Sequence, residues 1–150
     1  MTLHLTFRVG SADYALAASH VLHLESFEGA THVPGAPAHV AGLVQARGRV
    51  VPVVDLRSRF GLGPIERTID HRVVIVQVGA RVAGLLVDHA REVLQLDETT
   101  FEQPPKELDL VLGPGLGVFV TAVARVTPRS FLLIDVPRIL GEEPSHAQQE

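Results

Sequence analysis

The stretch QARGRVVPVVDLRSRFGL, residues 45–62, decides how the rest of the chain folds. Its centre, Val50 to Leu56, is an apolar run interrupted by Pro52 and closed by Asp55-Leu56. Branched side chains are stiff at χ1 and pack well on a pleated surface, so the run reads as a buried strand. Asp55 then reads as a helix N-cap, and Arg57 to Leu62 as a short helix stopped at Gly61 or Gly63. In front of the strand stands Arg47-Gly48. A surface arginine is usually only solvated charge. This one sits between two apolar segments, beside a glycine that lets a partner backbone come close. Arginine presents five donors in a planar fork and is enriched where partners bind, which makes Arg47 a candidate recognition residue.

The same pattern returns near the other end. FLLIDVPRILG (131–141) matches VPVVDLRSRFG (51–61) at a shift of 80 residues, so that Asp135 falls on Asp55 and Gly141 on Gly61. Leu3 to Val9 alternates apolar and polar residues as a half-buried strand does, and turns at Val9-Gly10 into a return strand from Tyr14 to Leu16. Val73 to Val78 with Gly79, then Val82 to Val87, run through the same events. Val93-Leu94-Gln95-Leu96 echoes Val21-Leu22-His23-Leu24. Each half is therefore expected to be a small antiparallel sheet curled into a barrel, which removes edge strands. The halves divide into a lobe of residues 10–68 and a lobe of 69–141, with the N-terminal strand free to cross between them. Residues 37–42 are expected to form one helical turn, Asp97 to Asp109 an exposed loop, and 142–150 a polar, frayed tail.

Composition agrees. The 150 residues include 22 valines, no Trp and one Tyr, with Gly 13 and Pro 10 for many turns between short strands. The net charge of −4 disfavours a general phosphate-backbone binder. With no cysteine, disulfides, thiolate zinc sites and cysteine nucleophiles are all excluded. No window approaches the roughly 18 apolar residues of a membrane span, and the first ten residues do not read as a signal peptide, so a cytoplasmic location is expected.

Eight histidines invite a metal site, yet none forms an i,i+4 pair on a plausible helix. The serines lack a Gly-x-Ser-x-Gly elbow. Leu112 to Gly117 is a loose glycine run without a following helix, and reads as a turn rather than a phosphate cradle. No cofactor, metal or catalytic residue is expected. The rival reading is a small hydrolase using histidine or aspartate, or a metal, on a β-barrel scaffold.

Taken in order, these segments resemble the CheW-like family of chemotaxis coupling proteins. Val33-Pro34-Gly35-Ala36-Pro37, then Gly42-Leu43-Val44-Gln45-Ala46-Arg47-Gly48, then Pro52-Val53-Val54-Asp55-Leu56 are similar to its successive signature motifs. Val82 to Asp88, and Leu133 to Val136 with Arg138-Ile139-Leu140, resemble its later strands. The resemblance covers residues 5–141. It implies an all-β fold of two five-stranded SH3-like barrel lobes packed together as one domain over 1–141. It further implies a non-catalytic adaptor joining the hairpin tip of a chemoreceptor to the regulatory domain of a histidine kinase at receptor arrays, with no nucleic acid and no membrane insertion. Arg47 would grip the receptor in a groove between the lobes, with Val21, His23, Gly42, Val44 and Gln45 lining the same region. The chain departs from the family at Gln45-Ala46 and at His23, which bears on the partner rather than on the fold.

Overall fold

A computed structural model describes residues 1–63, 68–108 and 116–141. Its strands run β1 (Thr2–Val9), β2 (Ala12–Ala17), β3 (Val21–Ser26), β4 (Val40–Ala46), β5 (Arg49–Asp55), β6 (Arg72–Val78), β7 (Arg81–Val87), β8 (His89–Leu96), β9 (Val120–Val126) and β10 (Arg129–Ile134). Short helices α1 (Leu56–Arg59), α2 (Leu116–Phe119) and α3 (Val136–Leu140) punctuate them. Both predicted caps are present: Asp55 Oδ1 accepts the Arg57 N–H at 3.0 Å, and Asp135 Oδ1 the Arg138 N–H at 3.1 Å.

The strands form two five-stranded sheets, ordered β8-β1-β2-β10-β9 and β3-β6-β7-β5-β4, each curled around its own core. The second, or middle, lobe packs Ala46, Val51, Val53, Val73, Ile75 and Leu86 inside. The first, or terminal, lobe packs Ala15, Leu96, Ala124, Phe131 and Leu133. A third and larger core lies between the lobes and takes side chains from both, including Phe7, Tyr14, Phe60, Leu85 and Ile139.

The halves seen in the sequence are real as an order of events, but they are not the lobes. The hairpin β1-β2 joins β8, β9 and β10, while β6-β7 joins β3, β4 and β5. The boundary therefore does not fall between residues 68 and 69; each half lends its first hairpin to the other half's barrel. Connection length gives the reason. A single residue, Asp88, separates β7 from β8. A reverse turn needs at least two residues, so β8 runs on into the other sheet instead of folding back. The single 3-10 turn Ala18–His20 between β2 and β3 stands at the corresponding crossing. Because hairpins are borrowed, each sheet contains one parallel pairing and is not purely antiparallel. Leu133 pairs with Ala15 as Val53 pairs with Gly84.

Three local expectations also change. Residues 37–42 make no helix: Val40 donates once to the Pro37 carbonyl, and β4 has begun. Gly42 lies at a bulge of β4 with φ 140°, and a Cβ there would collide with the Thr31 carbonyl. The acidic segment after β8 is tethered rather than free. Asp97 caps a 3-10 turn, Glu102 bridges to Val123, and Leu108 is buried. Val93 matches Leu24 rather than Val21, since Val93 pairs with Leu5 of β1 as Leu24 does with Val74 of β6. Gly113, Gly115 and the tail 142–150 lie outside the described residues.

Two arginines on α1 fasten the lobes. Arg59 donates to the Ile139 carbonyl at 3.1 Å and stands 5.0 Å from the Phe119 ring centroid. Its Nη1 also lies 3.3 Å from His39 Nδ1, which therefore acts as acceptor and must be unprotonated. Partial burial, followed by the Arg59 charge, lowers the His39 pKa below its usual 6.5. A histidine held neutral in the fold adds stability above the ordinary histidine range and loses it as the pH falls through its folded pKa. Thermal melts between pH 7 and pH 5 should therefore show a loss of Tm that His39→Gln reduces. An identical pH slope in that variant would remove His39 from the balance.

Candidate functional site

Arg47 and Gly48 are the two central residues of the β4–β5 turn, bracketed by the facing pair Ala46 and Arg49. Their φ values are 52° and 79°. Positive φ at both centres is the signature of the tight hairpin turn whose twist matches that of the strands, and Asn-Gly is its usual sequence. The turn explains why the core strand starts at Arg-Gly. It also leaves a cost unexplained, because a long side chain at positive φ is strained by about 1–2 kcal/mol. Among the described residues Arg47 is the one non-glycine residue with positive φ.

The guanidinium gains little from its own fold. Its side chain is 70% exposed, and its Nε reaches Glu25 Oε1 only at 3.8 Å. Glu25 also faces His23, whose Nε2 comes within 3.1 Å of the same oxygen without the alignment of a hydrogen bond. His23 and Glu25 share a face because alternate residues of a strand do. Arg47 and His23 thus meet at the mouth of the middle lobe. There a pocket of about 300 Å³ is floored by Ala46, Val51, Ile75 and Val82.

The other expected residues go elsewhere. Val44 and Gln45 line a wider cleft of about 1030 Å³ between the edge strands β3 and β4, with Glu25 and Glu28 on its rim. Val21 packs against the core between the lobes. Gly42 is accounted for by the Thr31 backbone, which bridges Leu43 through hydrogen bonds of 2.8 and 2.9 Å. The six residues are therefore split among three neighbouring places rather than gathered in one groove. Sequence reading missed Glu25, the acid that touches both Arg47 and His23. Its signal was the i,i+2 spacing from His23 on a strand.

A second polar centre lies at the crossing between the lobes. Asp88 Oδ2 accepts from Arg57 Nη1 at 2.7 Å and from the Gly10 N–H at 2.8 Å. The buried His71 turns its Nε2 toward Asp88 Oδ1 at 3.6 Å, while its Nδ1 accepts from the Thr68 N–H. Beside this cluster Tyr14 is buried, and burial together with the Asp88 charge pushes its pKa up to about 12. Every visible contact of this cluster is internal to the fold, and it is read as an interlobe tie. Among the described residues no group of three or more His, Cys, Asp or Glu could hold a metal ion. No helix there is long and apolar enough to cross a membrane.

A family model described as a CheW-like domain matches residues 3–143. The chain is 29% identical over 143 residues to the chemotaxis protein CheW of Rhizobium meliloti, covering 95% of this chain and 90% of that protein. It is 28% identical to the chemotaxis protein CheW of Bacillus subtilis, covering 95% and 89%. The crystal structure of the scaffolding protein TtCheW from Thermoanaerobacter tengcongensis superposes with a TM-score of 0.81 at 27% identity, over 94% of this chain and 93% of that one.

Proposed function

Because this chain belongs to the CheW-like domain family, we propose that it is a non-catalytic adaptor coupling chemoreceptor tips to a CheA-type histidine kinase. Residues 1–141 act as one unit, on the cytoplasmic side of receptor arrays. A receptor hairpin packs apolar side chains against the middle lobe, and Arg47 supplies a charge-assisted hydrogen bond that fixes its register. The kinase's regulatory domain binds elsewhere on the barrels. The hydrolase reading gains no support: the hydroxyl–histidine–carboxylate contact among the described residues, Thr68 with the buried His71 and Asp88, belongs to the interlobe tie, and the relatives are described as chemotaxis and scaffolding proteins.

The observation that carries this reading is the strained, exposed arginine where an asparagine or glycine would serve the fold better. Strain retained with only a long, exposed contact to Glu25 in return points to an external partner. Arg47→Ala should weaken capture of a receptor hairpin fragment by about 1–3 kcal/mol. Arg47→Gly should lose as much binding while raising folding stability by about 1 kcal/mol, since the strain disappears. Titration calorimetry and urea denaturation read the two effects separately. Unchanged receptor affinity in both variants would take Arg47 out of the mechanism.

A further inference from the structure

The chain contains its own control for the pocket beneath Arg47. In the terminal lobe the β9–β10 hairpin turns at Thr127-Pro128, between the facing pair Val126 and Arg129. Phe131 faces Ala124 there, at the ladder position where Val51 faces Val44 in the middle lobe. The side chains then diverge. Phe131 is fully buried, and Arg129 lies 5.1 Å from its ring centroid while pairing with Glu92 at 2.6 Å. Aromatic ring and ion pair pack together at that mouth. In the middle lobe Val51 is two carbons deep where Phe131 carries a ring, and Arg49, at the ladder position of Arg129, stays exposed, as does Arg47. The opening of about 300 Å³ thus lies over the smaller of the two matched side chains.

We propose that this opening is an anchor pocket for a single aliphatic side chain on the receptor's helical hairpin, with a carboxylate one helical turn away. The proposal rests on the receptor-binding reading of Arg47 and adds what is recognised there. The floor of Ala46, Val51, Ile75 and Val82 is apolar, His23 and Gln77 line the same space, and it has room for one side chain, not for a helix. The rim carries Arg47 and Arg49, both exposed. Their charge selects an acid, and residues three or four apart lie on one face of a helix, so anchor and carboxylate arrive together. The incoming carboxylate replaces the long contact of Arg47 with Glu25.

Val51→Phe tests this by giving the middle lobe the ring that the terminal lobe already has. Titration of a chemoreceptor hairpin fragment should show at least a tenfold loss of affinity, with a cooperative thermal melt of the adaptor retained. Wild-type affinity in Val51→Phe, beside a loss in Arg47→Ala, would overturn the pocket and leave the receptor-binding reading standing. Wild-type affinity in both variants would overturn the reading as well. Should Val51→Phe fold poorly, methyl NMR of the unmodified protein decides. Hairpin binding should shift the Ile75 and Val82 methyl resonances, and their constancy at saturation would overturn the proposal.

Discussion

Phe60→Ala should lower the free energy of unfolding by about 3–5 kcal/mol, the usual cost of emptying a buried aromatic site. Phe60 follows α1 in the middle lobe, yet it stands at the centre of a chain of rings from the terminal lobe. Its centroid is 5.1 Å from Tyr14 and 5.8 Å from Phe119, and Tyr14 in turn lies 5.7 Å from Phe7. All the atoms removed are fully buried, so the transfer loss and the cavity add. Neighbouring rings pinned on β2 and at the end of α2 can collapse only partly into the space. Urea denaturation measures the change through its midpoint. A loss below 1 kcal/mol would mean that the core between the lobes contributes far less than its burial implies.

Asp88→Ala should cost about 3 kcal/mol, near the low end for breaking a buried charge pair because both partners keep some contact with water. Their side chains are 15% and 17% exposed. The substitution strips Arg57 of its carboxylate and leaves the Gly10 N–H without an acceptor. Asp88→Asn keeps an acceptor for that amide while giving up the charge, so it should lose roughly half as much. Hydrogen exchange at the Gly10 amide separates the contributions: fast in Asp88→Ala, slower in Asp88→Asn. Equal protection in wild type and Asp88→Ala would show that the tie is ornamental to the lobe junction.

Strand existence was legible because burial writes itself into residue type. Val73 to Val78, apolar but for Gln77, proves to be an inner strand of its sheet; Leu3 to Val9 is a strand as its alternation foretold, but not a half-buried one, because His4 and Thr6 are buried along with Leu5 and Phe7 while Leu3 is exposed. The caps at Asp55 and Asp135 were legible from side-chain chemistry alone. Strand partnership was not. Nothing in Val82 to Leu96 announces that one residue separates two sheets, because β7 and β8 run on as nearly continuous extended chain. At the site, Arg47 was legible as an anomaly, though its cause was not: the φ of 52° is a property of the turn, visible only once Ala46 is seen facing Arg49. Gly42 was placed on the binding surface by the family resemblance, whereas the backbone crowding by Thr31, eleven residues earlier in the chain, leaves no local mark.

The loan of hairpins between the halves sets what can be cut from this protein. A fragment of residues 1–68 would hold two strands of one barrel and three of the other, and so could complete neither by itself. Two such fragments could complete both, each clasping the other's β1-β2. In that sense the chain is built as two half-length units in mutual embrace, joined end to end. Because both units belong to one chain, they need not match residue for residue, and Val51 and Phe131 differ at one ladder position.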